Sequence, residues 1–302
     1  MLIQLTSYLI WFININKFKI NNCYIIKYLN KKEIKIEFYS EKDCPYKEEK
    51  VTIEEKKLEY LEQIVNESIV FINYGLDFLS KIGFGNIDLI GSLSFLNLSR
   101  GFELLMKCMV CYKKYDNNRN NKFFYEHFPS YEEIKDYGHN IDKLRKEVLK
   151  NYQGMSEMKN SDPDIIKKLK KQLEKDRDFM TSNKDFIRIL KIVSKYSTTE
   201  RYYNLDYVTR KVMKKGGSPQ FMMEKFIFEI VKNDKQLSNN FKKNKWNSLN
   251  DDKIWKEVVT QKIKPYLIEF RSALCRQFSF GILGDKARSV ISIDEYAFKH
   301  NG

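Results

Sequence analysis

Between residues 58 and 79 an apolar side chain recurs at every third or fourth position: Leu58, Leu61, Val65, Ile69, Ile72, Leu76 and Leu79. That spacing lays an apolar stripe along one side of a helix for six turns. A helix of this length with one apolar side must bury it against other elements, so the segment commits the chain to a packed helical core. Thr52-x-x-Glu55 just ahead of it forms a capping box and sets its start. The same spacing returns at Leu98, Phe102, Leu105, Met109 and Tyr112, predicting a second helix over about 90 to 114. It returns again at Ile141, Leu144 and Val148, at Phe186, Leu190 and Val193, and at Leu267, Phe270, Leu274 and Phe278 ahead of Gly281, a C-terminal cap.

Asp162-Pro163 and Ser218-Pro219 each start a further helix, a capping side chain followed by a proline that fits the first helical position. The helix after Pro163 is short of apolar residues and dense in charge, and reads as an exposed arm. Residues 113–138, with four asparagines, a proline and no period, read as a long loop, as does the polar stretch 233–252. Before all of this the period is two. Ile13 and Ile15 alternate with Asn14 and Asn16, and Ile34, Ile36 and Phe38 with Lys35, Glu37 and Tyr39, the pattern of half-buried strands. The expected fold is therefore mainly α: an up-and-down helical bundle over residues 49–302, preceded by a small β hairpin or meander over residues 1–48.

A chain of 302 residues that is 42% hydrophobic and 14% aromatic folds; it is not a disordered tail. Its net charge of +14 favours a polyanionic partner, although a bias toward Lys, Asn and Ile of the kind AT-rich codons produce gives the same excess without one. Five cysteines, an odd number irregularly spaced, argue for a reducing compartment over a disulfide framework. Cys108 and Cys111 have the spacing of metal ligands, but no second pair answers them, and both sit in an apolar helical pattern as buried thiols would. The opening MLIQLTSYLIWFININ is interrupted by Gln4, Thr6 and Ser7, lacks the basic start of a signal peptide, and is too short to span a bilayer. The expectation is a cytoplasmic protein with no membrane partner. KKGGS at residues 214–218 lacks the order of a phosphate-binding loop, and no pattern demands a cofactor.

Two segments carry candidate chemistry. In SRGFELLMKCMV, Arg100, Glu103 and Lys107 fall at i, i+3 and i+7, on one side of a helix, with Glu103 and Lys107 in the favourable i, i+4 order. In YGHNIDKLR, Gly138 frees the turn and His139 stands where a helix begins; it is one of only three histidines in the chain. An imidazole there can serve as a general base or as a hydrogen-bond donor to phosphate, or it can pack on a neighbouring helix through one hydrogen bond.

The order of these segments, F-E-L-L-x-K, a long loop, G-H-N-I-D-K-L and then T-E-R-Y, resembles the HEPN superfamily of helical domains. The residues that match are Glu103, Lys107, Gly138, His139, Leu144, Arg201 and Tyr202, densest over residues 95–145. The resemblance implies a dimeric helical domain of the kind found in phage-defence and toxin–antitoxin systems, with RNA or a nucleotide as partner. It implies His139 as base or phosphate donor with Arg201 as the catalytic pair. Arg100, Lys107 and Tyr202 would then bind substrate, and Glu103 would orient a cation or a ribose hydroxyl. The ribonuclease branch carries an R-x(4–6)-H motif that this chain lacks: seven residues separate Arg119 from His127, and no arginine precedes His139 at that spacing. A reading of a different class makes the chain a non-catalytic interaction protein, with Glu103, Lys107 and His139 as a polar network fixing helix register.

Overall fold

The computed structural model describes residues 17–20, 23–30, 33–40, 52–83, 86–118, 127–157, 163–197, 218–243 and 248–291. The chain divides into two compact units, Met1–Lys56 and Lys57–Gly302. In the first, β1 (Lys17–Ile20), β2 (Cys23–Asn30) and β3 (Glu33–Ser40) form an antiparallel sheet in the order β1-β2-β3. Ile25 pairs with Phe18 on one side and Phe38 on the other, and Ile26 with Lys17 and Glu37.

The described remainder is mainly helical. Helix α1 (Ile53–Leu79) starts at the expected capping box: Glu55 N donates to Thr52 Oγ1 at 3.2 Å, and Glu55 Oε2 accepts from Thr52 N at 2.7 Å. Its stripe buries Leu61, Val65, Ile72, Leu76 and Leu79. A π-helical turn, Ile87–Gly91, leads into α2 (Ser92–Asn118), the helix of the SRGFELLMKCMV segment. The two helices approach closely because each presents a glycine at the crossing. A Cβ on Gly101 would lie 2.7 Å from the Ser68 carbonyl oxygen and 2.8 Å from Ile72 N, and one on Gly75 would lie 2.8 Å from Leu98 N.

Then follow α3 (Tyr131–Asp136), α4 (Ile141–Leu149), a 3-10 turn (Lys150–Glu157), α5 (Pro163–Ser182), α6 (Lys184–Lys195) and α7 (Pro219–Asn233). The described chain closes with α8 (Lys235–Lys243), α9 (Ser248–Val258), a π turn (Val259–Ile263), α10 (Lys264–Ser279) and α11 (Asp285–Arg288). Phe270 of α10 lies at the middle of the core, its ring 4.8 Å from Phe102 of α2 and 5.0 Å from Phe186 of α6.

Three expectations are corrected. Helix α3 lies inside the stretch read as a loop; Ser130 and Glu133 close a capping box there that outweighs the lack of apolar period. Helix α8 lies inside the second such stretch; Asp234 accepts from the Leu237 backbone N–H, and Leu237 is buried. Helix α5 is no free arm, because Leu173, Asp176 and Met180 are buried along one side of it.

Candidate functional site

The glycine turn at residues 137–140 is held from both sides. Lys114 of α2 donates to both carboxylate oxygens of Glu133 at the start of α3, at 2.7 and 2.6 Å. Lys143 of α4 donates to the Asp136 carbonyl and carboxylate at the end of α3, at 2.8 and 2.6 Å. Between these ties Gly138 takes φ +54°, in the left-handed region that glycine enters without the cost a side chain brings. Asn140 then caps α4 by accepting from the Lys143 N–H at 2.9 Å. Helix α4 turns Ile141, Leu144 and Val148 into the core, and that docking brings His139 alongside α2.

His139 meets Glu103 there. Its Nδ1 lies 2.9 Å from Glu103 Oε2, while Lys107 Nζ donates to Oε1 at 2.7 Å. Glu103 is 3% exposed, between the fully buried Phe102, Leu105 and Met106. The His139 side chain is 55% exposed. A buried carboxylate thus has both oxygens engaged by cationic or ring N–H donors, one of which reaches out toward solvent. Because a carboxylate only accepts, the Nδ1 facing it carries a proton, and in the neutral ring Nε2 is then the atom with a free lone pair. The arrangement fixes the tautomer and one end of an accessible imidazole.

Of the candidate residues, Glu103, Lys107 and His139 are brought together. Glu103 faces these two side chains, each of its oxygens meeting one of them. Arg100 is exposed one turn earlier on α2, and no hydrogen bond among the described residues joins it to the cluster. Arg201 and Tyr202 lie outside the described residues, as does Arg119, so the Arg119–His127 spacing carries nothing further.

Cys108 and Cys111 are protonated thiols. Burial pushes Cys108 well above the usual range, and burial lifts Cys111 to about 12 against the opposing pull of Lys114. Among the described residues no group of three or more His, Cys, Asp or Glu side chains could hold a metal ion.

A second charged cluster lies between α5 and α10. Arg276 Nε and Nη2 donate to the two oxygens of Asp176, each at 2.7 Å, and Nη2 also reaches Glu269. Asp176 is 1% and Arg276 4% exposed. Burial raises the Asp176 carboxyl above its ordinary value despite the opposing hydrogen bonds from Arg276 and Gln172. Burial likewise pushes up the neighbouring Tyr152 hydroxyl. The signal for this cluster is in the sequence: Asp176 sits in phase with Leu173 and Met180, an acid at a position whose spacing demands a core residue. A cavity of about 490 Å³ lined by Phe179, Asn183, Pro265, Tyr266, Ile268 and Glu269 opens beside it, with largely apolar walls; neither Glu103 nor His139 lines it. Two buried opposite charges joined this way hold α5 against α10, a structural task.

No protein-family model, no curated protein and no solved structure matches the chain.

Proposed function

We propose that the helical unit is a HEPN-like bundle that binds RNA or a nucleotide at the Glu103–His139 edge, and that its chemistry there is metal-independent RNA cleavage. The observation that carries the reading is the buried Glu103 carboxylate gripping a half-exposed His139. A carboxylate placed so prepares the imidazole to accept a proton at Nε2 and steadies the imidazolium that results.

In the reaction, Nε2 takes the proton of a ribose 2′-OH as the 2′ oxygen bonds to the adjacent phosphorus. The bond from phosphorus to the 5′ oxygen breaks, that oxygen takes up a proton from water, and the imidazolium returns its own proton to the solvent. The products are a 2′,3′-cyclic phosphate and a free 5′-hydroxyl, and no oxidant or metal enters the balance. Lys107, Arg100 and Arg201 hold the phosphate and Tyr202 the adjoining nucleotide, with Glu103 acting through His139 as a positioning residue. The protein works as a homodimer in this reading, supported by the exposed Leu89, Leu93 and Leu96 at i, i+4 and i+7, the stripe that leads to Arg100. A phage-defence or toxin–antitoxin setting follows from the family resemblance.

One observation favours the other class of function. Glu103 is almost fully buried and satisfied within the fold, as a polar cluster that only fixes the register of α2 against α4 would be. Incubation of the protein with unstructured RNA in the presence of a chelator separates the two. Fragments ending in 2′,3′-cyclic phosphate, absent when the RNA carries 2′-deoxy sugars, are the expected result. RNA that is neither bound nor cut leaves the cluster a structural one.

A further inference from the structure

Helix α5 carries an unusual run of charge, KKLKKQLEK, over residues 167–175. Five lysines stand there against one glutamate. Lys167, Lys168, Lys171 and Lys175 are exposed, and at 100° per residue they fall within a third of the helix circumference, opposite the buried Leu173, Asp176 and Met180. Of the acids on α5, Asp176 is spent on Arg276 and Asp178 lies beside Arg177; Asp164 and Asp178 fall on the same side of the helix as the lysines, and Glu174 at its edge. Among the described residues, none of the five lysines enters an ion pair.

A row of unneutralised ammonium groups on a rigid helix suits a partner that carries negative charge at regular intervals. Lys167, Lys171 and Lys175 lie four residues apart, so the helix presents a positive charge roughly every 6 Å along about 12 Å of axis. An anionic membrane would also supply negative charge, but a helix that lies on a membrane needs apolar residues at the waterline. On α5 most of those residues are committed inward: Leu173 and Met180 are buried and Leu169 and Phe179 pack on the core, which leaves Ile165 exposed near the helix start. What remains outside is chiefly charge.

We propose that the lysine face of α5 is a docking surface for the phosphate backbone of single-stranded RNA. The inference rests on the reading of the protein as RNA-binding and adds a place for the strand beyond His139. The two sites belong to one packed body. Arg145, six residues past His139, donates from Nη1 to the Met180 carbonyl at the other end of α5, at 2.5 Å. From that contact the lysines extend about 8 to 20 Å along the helix axis. RNA held there is gripped by charge alone, so this surface contributes affinity and salt dependence without base preference.

The test measures affinity for a labelled, unstructured RNA of about 20 nucleotides by fluorescence anisotropy across a salt series, a length chosen so that contacts over several phosphates are available. The proteins are the wild type, the variant K167Q/K168Q/K171Q/K175Q and its charge-keeping counterpart K167R/K168R/K171R/K175R. With a slope of about −0.7 per phosphate contact, losing four charges flattens the plot of log K against log salt by up to about 3. The glutamine variant is expected to bind at least tenfold more weakly at low salt, the arginine variant to match the wild type, and both to keep the wild-type thermal midpoint. Equal affinity and slope for the glutamine variant overturn the docking surface and leave RNA binding at His139 standing. A wild type that binds no RNA overturns both. Binding to phosphatidylserine vesicles in place of RNA overturns the proposal in favour of a membrane partner.

Discussion

Glu103 shows how much one residue can decide. Its position on α2, in phase with Arg100 and Lys107, is legible in the sequence, and so is its favourable pairing with Lys107. Its burial is not, because helical spacing places it on the same side of the helix as the exposed Arg100. Phase on a helix is relative, and only the docking of α4 shows that the Glu103 end of the stripe lies under His139 while the Arg100 end stays outside. Asp142, three residues beyond His139, is the residue whose charge is most open to a direct measurement. Burial opposes its ionisation, but hydrogen bonds from Arg145 and Lys146 prevail and hold its carboxyl below the ordinary 3.8. A carboxyl depressed by folding stabilises the protein above its unfolded value, and that stability is lost as pH falls toward the folded value. The thermal midpoint of Asp142→Asn should therefore lie below that of the wild type at neutral pH, and the gap should close as pH falls from 5 toward 2. A gap that stays constant across that range, followed by calorimetry, would mean that the charge of Asp142 is not what the fold uses.

At the scale of elements, helices were readable wherever apolar period and a capping pair agreed. The starts of α1, α6 and α7 coincide with Thr52, Asn183 and Ser218, each of which accepts from a backbone N–H three residues on. Where period and cap disagreed, the cap prevailed, as Ser130 and Asp234 show for α3 and α8. The buried side of α5 escaped reading because Asp176 occupies a core position, and its partner Arg276 lies 100 residues further along the chain. No local pattern connects them. The α1–α2 crossing was hidden for a related reason, since a glycine in a helix signals weakness until its neighbour is known. Replacing Gly101 by alanine gains helix propensity, by up to about 1 kcal/mol. It also drives a methyl group to 2.7 Å from the Ser68 carbonyl, a contact between backbones that no side-chain rotation relieves. The overpacking should dominate, for a net loss of about 1–3 kcal/mol in urea unfolding. Equal or greater stability for Gly101→Ala would mean that the two helices do not cross this closely.

At the scale of the whole molecule, the sequence places a net charge of +14 on a chain with a conventional apolar core, so the excess lies at the surface, where it costs little and can meet a partner. Among the described residues no helix is long and apolar enough to cross a membrane. The lysines of α5 and the exposed imidazole of His139 are two expressions of that surface, one general and one specific. His139 can also be separated from the fold that supports it, because more than half of its side chain faces solvent and its contact with Glu103 is a single hydrogen bond. The most direct measurement of the central claim is accordingly the rate of RNA cleavage by His139→Ala beside its thermal midpoint. The account predicts that cleavage is lost, by about 100-fold or more as expected for removing a general base, while the midpoint stays within a few degrees of the wild type. Unchanged cleavage, or a midpoint that falls steeply in a protein that never acts on RNA, would contradict it.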